Sequence, residues 1–141
     1  MERIVLDTST IVSAFRSRHG ASHALLRSIA AGDIRPLATL ALFLEYEGVL
    51  KRPEQRLAHG FGIAEIDAFL AGFASACVGV DVNFRWRPQL SDPDDELVLE
   101  AAVNGGAEFI VTHNVKDFAR VAPTFGVTAV RPGAYLKRRM Q

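Results

Sequence analysis

Asp7, Glu45 and the acidic run Asp92, Asp94, Asp95 and Glu96 lie in three separate stretches of the chain, and His113, Asn114 and Asp117 make a fourth. Apart from the imidazole, these side chains offer oxygen. Oxygen-only donor sets suit hard divalent ions such as Mg²⁺ or Mn²⁺, which dehydrate reluctantly and commonly bridge to substrate phosphates. An ion held in this way can activate a water and stabilise charge in phosphodiester hydrolysis. Each residue also has a plainer role. Asp7, ahead of Thr8, Ser9 and Thr10, makes a good helix N-cap. Asp92 followed by Pro93 and Asp95 is a ready-made helix start. Glu45 stands among Leu42, Leu44, Tyr46 and Val49, where a carboxylate needs a partner. A lone histidine such as His113 is more often a surface or capping residue than a ligand.

Other chemistries find less support. The single cysteine, Cys77, lies in the apolar stretch ASACVGV, which suits an inert buried thiol. No GxxxxGK[ST] or GxGxxG loop is present for phosphate binding, and no GxSxG elbow for a serine nucleophile. An aspartyl-phosphate phosphatase of the haloacid-dehalogenase kind wants an Asp two residues after the first, and position 9 is Ser.

Positioning those acids requires a framework, and 141 residues with 49% hydrophobic content suffice for one domain, residues 1–141, with a real core. RIVLD reads as a buried strand, and Thr8 to Arg18 as a helix with Ile11, Val12, Ala14 and Phe15 on one face. ASHALLRSIAAGD follows as a helix with Ser22 as its cap, then IRPLAT as a short strand, then LALFLEYEGVLKR as a helix stopped by Pro53. Residues 54–60 are weakly helical, Ile63 to Cys77 strongly so, and VGVDV is a strand candidate. SDPDDELVLEAAVNGG predicts a helix, EFIVT and GVTAVRP two further strands, and KRRMQ a basic tail. Strands alternating with helices argue for an α/β fold, a three-layer α/β/α sandwich with a mostly parallel central sheet. In such sheets ligands gather beyond the carboxyl ends of the strands, where Asp7, His113 and Asn114 fall.

Sixteen basic residues balance sixteen acidic ones, which argues against wrapping nucleic acid by bulk charge. The chain has neither a signal-like N-terminus nor an apolar stretch of membrane-spanning length, and one cysteine excludes an internal disulfide, so a soluble cytoplasmic protein with no membrane association is expected.

The order of features resembles the PIN-domain ribonucleases, specifically the bacterial toxins of type II toxin–antitoxin modules (VapC-like). IVLDTSTIVSAF is similar to the first-strand motif, LFLEYEGVLKRP to the second, and DPDDELVLEAAVNGGAEFIVTHNVKDF to the third and fourth together. The resemblance implies a PIN-like fold and Mg²⁺- or Mn²⁺-dependent endonucleolytic cleavage of RNA. Asp7, Glu45 and Asp95 would be catalytic ligands, with Asn114 and Asp117 completing the metal site and Asp92 and Asp94 outside it. Asn114 departs from the pattern, since many members carry Asp there; this motivates an alternative, a weak or inactive PIN-like module that binds RNA or protein. Thr8, Ser9 and Thr112 would orient ligands or the scissile phosphate. For RNA docking the basic clusters are Arg16 with Arg18, Arg85 and Arg87 around Trp86, and KRR at 137–139. The resemblance further implies a cognate antitoxin protein as partner and a homodimer.

Overall fold

The computed structural model describes residues 2–86 and 88–140. Its elements run β1 (Ile4–Leu6), α1 (Thr8–Arg16), α2 (Ala21–Ala30), β2 (Leu37–Ala38), α3 (Leu40–Leu50), α4 (Pro53–His59), α5 (Ile63–Ala76), β3 (Val78–Gly79), α6 (Pro93–Gly105), β4 (Phe109–Val111), α7 (Val115–Ala119), a 3-10 turn at Ala122–Phe125, β5 (Thr128–Val130) and α8 (Pro132–Arg139). β1 pairs with β4 and β4 with β5, both parallel, and β2 pairs in parallel with β3. An isolated parallel bridge between Ile4 and Pro36 joins the two pieces. Across the combined edge the strands therefore read β3-β2-β1-β4-β5, with helices around them. This is the expected α/β fold with a parallel central sheet.

The strand order has a direct consequence for ligands. From β1 the chain winds outward through β2 and β3, then crosses back to start β4 on the other side of β1. The reversal leaves a crevice beyond the carboxyl ends of β1 and β4, the usual ligand position in open parallel sheets.

Packing follows from the hydrophobic runs. Ile4, Val5 and Leu6 are wholly buried, as are Ile110 and Val111 of β4, which is what a strand covered on both faces requires. Ala101 and Ala102 let α6 lie close to the sheet. Gly105 extends the approach: a β-carbon there would stand 2.8 Å from Leu37 Cδ1. Gly106, at φ +66°, then ends the helix in a left-handed turn.

Several local expectations are corrected. Ser22 does not cap α2; Gly20 does, and Ser22 is the buried second residue of the helix. Pro53 ends α3 but also opens α4 at its first helical position, where its missing N–H costs nothing. VGVDV contributes only Val78–Gly79, a two-residue exposed strand at the edge of the sheet. The basic C-terminal segment is helix α8, held by buried Tyr135, whose hydroxyl donates to Glu2 Oε1 at 3.0 Å. No single helix among the described residues is long and apolar enough to cross a membrane.

Tyr46 carries the link from the core to the site. Its fully buried hydroxyl donates to the Leu6 carbonyl, tying α3 to the last residue of β1 and so setting Glu45 beside Asp7's strand end. Tyr46→Phe is expected to cost about 1–2 kcal/mol, because the Leu6 carbonyl loses a buried donor. Urea unfolding measures this, and an unchanged midpoint would remove the tether from the account.

Candidate functional site

Asp7 directly follows β1 and occupies the N-cap backbone position of α1, yet its side chain makes no capping hydrogen bond. Instead its carboxylate, 5% exposed, is held from the side. Ser9 Oγ and Thr112 Oγ1 each donate to Oδ2 at 2.7 Å. Those hydroxyls have no choice of direction, because each also accepts a backbone N–H from the loop after β4. His113 N donates to Ser9 Oγ at 3.2 Å and Asn114 N to Thr112 Oγ1 at 2.9 Å. With its acceptor side occupied, each hydroxyl turns its proton to the carboxylate. Asp7 Oδ1 receives no hydrogen bond from any described residue. The ladder beneath is continuous: Asp7 N and Thr10 Oγ1 both donate to the Val111 carbonyl at 2.9 Å.

Thr112→Val keeps the shape and removes both roles of that hydroxyl. It is expected to cost about 1–3 kcal/mol, from the Asn114 N–H left unpaired. Any metal-dependent activity should fall roughly 10–100-fold, as loss of a ligand's supporting partner does. Thermal unfolding and metal titration check the two effects separately.

Around Asp7 the negative charges crowd. Asp95, in the first turn of α6, is half-buried, and its carboxyl is pushed up to about 7 by burial first and then by the charges of Asp7, Asp92, Asp117 and Asp94. Glu45 is raised in the same direction by burial, then by Asp94, against the opposing pull of Arg52. Asp94 hydrogen-bonds the Glu45 side chain, so an acid set aside on sequence grounds stands in contact with one of the chosen three. The other acids of the run are engaged elsewhere. Asp92 accepts from Asp94 N at 2.9 Å as the N-cap of α6. Glu96 accepts from the backbone N–H groups of Gln89 and Leu90. Lys51, the next cation along α3, is committed to Glu47 and Asp67 at 2.9 and 2.6 Å.

The outer candidates fall into two groups. Asp117 is exposed in α7 and near enough to Asp95 to act on it; Asn114 is exposed at the N-cap of the same helix, with its amide unused as a cap. Thr8, unlike Ser9 and Thr112, makes no side-chain hydrogen bond to Asp7. Among the described residues no three acidic, imidazole or thiol groups already converge as a closed ion cage. Like charges brought to ligand distance need a cation between them. The donor set fits a hard divalent ion in kind: carboxylates from three elements, with an amide at the rim.

His113 shares a 2.9 Å hydrogen bond with Ser22 Oγ, bringing α2 against the loop after β4. Burial, then Arg131, hold its imidazole below the usual range, against the pull of Asp7. Ser22 is 2% exposed, so the pair is closed to a substrate and is no nucleophilic dyad.

The basic clusters lie elsewhere. Arg16 ends α1, donating to Gln55 Oε1, and Arg18 follows it, about 13 Å or more along the helix from Asp7. Trp86 packs between Phe84 and Phe125, at 5.4 and 5.1 Å between ring centroids. Arg85 is exposed beside it, and Arg87 lies outside the described residues. Arg138 and Arg139 bond Glu2, and Arg138 also covers the Phe109 ring, at the amino end of the sheet. Arg16 at the far end of α1 and Arg138 and Arg139 at Glu2 thus stand away from the carboxylates.

A profile of the PIN domain matches residues 3–116, from the start of β1 through Asp7, Glu45, Asp95 and Asn114. No curated protein sequence matches the chain closely enough to narrow that result. PIN domains are generally nucleases and typically use divalent metals. With the matched region covering most of the 141 residues and the acids ranged around one sheet edge, the chain belongs to the PIN-domain family.

Proposed function

We propose that the protein is a divalent-metal-dependent endoribonuclease in which Asp7, Glu45 and Asp95 hold Mg²⁺ or Mn²⁺, with Asn114 and Asp117 at the rim. One observation carries the reading: a buried Asp7 oriented by two hydroxyls faces an Asp95 that its neighbours' charges push up to about 7. Uncompensated acids at a crevice are costly to folding and make sense as ligands. When bound, the ion supplies electrophilic stabilisation of the phosphoryl group and lowers the pKa of an attacking water. The chain's own part is to hold Asp7 by Ser9 and Thr112, so that one carboxylate oxygen stays committed and the other available. The Tyr46 tether keeps Glu45 against the strand end, and the α6 cap at Asp92 presents Asp95 from the first turn.

The same reading extends to a toxin of a toxin–antitoxin pair, acting as a homodimer and restrained by a cognate antitoxin. Supporting a protein partner is a cavity of about 570 Å³ between α2 and α5, floored by Leu26, Ile29, Phe69 and Phe73. Incubating the full chain with single-stranded RNA and Mn²⁺ tests the activity. Internal cleavage that chelator stops supports the reading; hydrolysis of small phosphate esters with RNA left intact points to a phosphatase and overturns it. A second reading, a weak or inactive binding module, rests on Asn114, whose amide brings no charge. Calorimetry separates them, since such a module takes up no ion at millimolar Mn²⁺.

A further inference from the structure

The acids explain how an ion could be held but not how a polyanion reaches them. Docking groups have to stand at the carboxyl edge of the sheet, and two arginines do. Arg131 follows β5 directly; its neighbour Val130 receives the N–H of Thr112, so Arg131 lies alongside the loop carrying His113 and Asn114. At about 4.8 Å per strand, it stands two strands, roughly 10 Å, from Asp7. Arg52 lies at the turn between α3 and α4, near enough to Glu45 for its charge to act there. One guanidinium thus neighbours the loop after β4 and the other neighbours Glu45, two separate places beside the acids.

Several arginines, Arg18 and Arg35 among them, are exposed without a partner among the described residues, but Arg131 and Arg52 combine that freedom with a place beside the site. Arg138 and Arg139 are paired with Glu2, Arg16 with Gln55, and Arg3 with the Gly105 carbonyl. Arg131 and Arg52 are exposed and make no hydrogen bond or ion pair with any described residue, although acids stand nearby. An unpaired guanidinium presents a planar fork matched to phosphate oxygens.

We infer that Arg131 and Arg52 dock the substrate, each gripping a non-scissile phosphate of a single RNA strand laid across the carboxyl edge from β5 to α3. The inference rests on the ribonuclease reading. A strand so laid places one phosphodiester over Asp7 and Asp95 and the next on either side over a cation. The acids then meet the backbone only where the ion offsets them.

Steady-state cleavage of a labelled single-stranded RNA in Mn²⁺, over a series of salt concentrations, tests this. Arg131→Ala is expected to raise KM about tenfold with kcat nearly unchanged. The slope of log(kcat/KM) against log salt should flatten by about 0.7, the loss of one phosphate contact on a single strand. Arg52→Ala should do the same, and Arg131→Lys should restore the slope. Arg35→Ala removes equal charge at the amino edge and should change neither. Unaltered KM and slope in Arg131→Ala, with wild-type protein cutting RNA, overturn the docking role alone. A wild-type protein that cuts no RNA overturns the ribonuclease reading, and the docking role with it.

Discussion

Asp7→Asn is expected to reduce metal-dependent RNA cleavage by roughly 10²–10³-fold or more, the scale of losing one electrostatic element of an active site. It should also make the metal-free protein more stable. The amide oxygen can still accept from Ser9 and Thr112, so the local frame survives. What disappears is the charge that, after burial, contributes most to raising Asp95. Relief of that repulsion should lift the melting temperature in chelator by roughly 2–4 °C, the shift given by about 1 kcal/mol in a protein of this size. A function-for-stability exchange of this sign marks a residue kept for chemistry. Calorimetry in chelator and a cleavage assay in Mn²⁺ measure the two halves; retained cleavage, or a lower melting temperature, would contradict the role given to Asp7.

The second large effect is the coupling of pH, metal and stability. Asp95 titrates near 7 in the folded protein, above its unfolded value of 3.8, so between these values the folded state binds more protons. Stability is then greatest below the unfolded value and is lost as pH rises through about 7. Glu45, raised by burial and Asp94, adds in the same direction. A divalent ion competes with those protons, so its affinity should climb with pH up to about 7 and then level off. The melting temperature without metal is expected to fall between pH 5 and 8, while the increase produced by a fixed Mn²⁺ concentration grows over the same interval. Asp95→Asn should flatten both trends. Equal stabilisation by Mn²⁺ at both ends of the range would remove Asp95 from the ligand set.

How much of this was readable in the chain depends on the kind of signal. Asp7 and the Thr112–Asn114 loop were found because a buried apolar run ending in polar residues marks a strand end, and parallel sheets put ligands there. The helix start at Asp92 was equally plain from Pro93. Spacing alone could not say whether Asp94 or Asp95 turns inward, because residues one apart on a helix differ by 100° in direction, and the Asp94 contact with Glu45 was missed. Ser22 looked like a cap since serine prefers that position; its partner, His113, is 91 residues away, beyond any local pattern. Arg131 stands at a strand end like Asp7 and Thr112, but in GVTAVRP no local pattern separates a docking arginine from a solvated one. The basic residues at 137–139 looked like a nucleic-acid patch until helix α8 brought Arg138 and Arg139 to Glu2.

The hydroxyl bridge between Asp7 and Thr112 joins residues 105 positions apart. During synthesis at roughly 5–20 residues per second, Asp7 is therefore made on the order of 5–20 s before the group that orients it. In that interval β1 also has no β4 to pair with, and the crevice between them does not exist. A chain interrupted between Glu96 and Phe109 carries every acid from Asp7 to Glu96 and still lacks the frame that aims them. Competence thus arrives with the last quarter of the chain, all at once, as a product of strand closure.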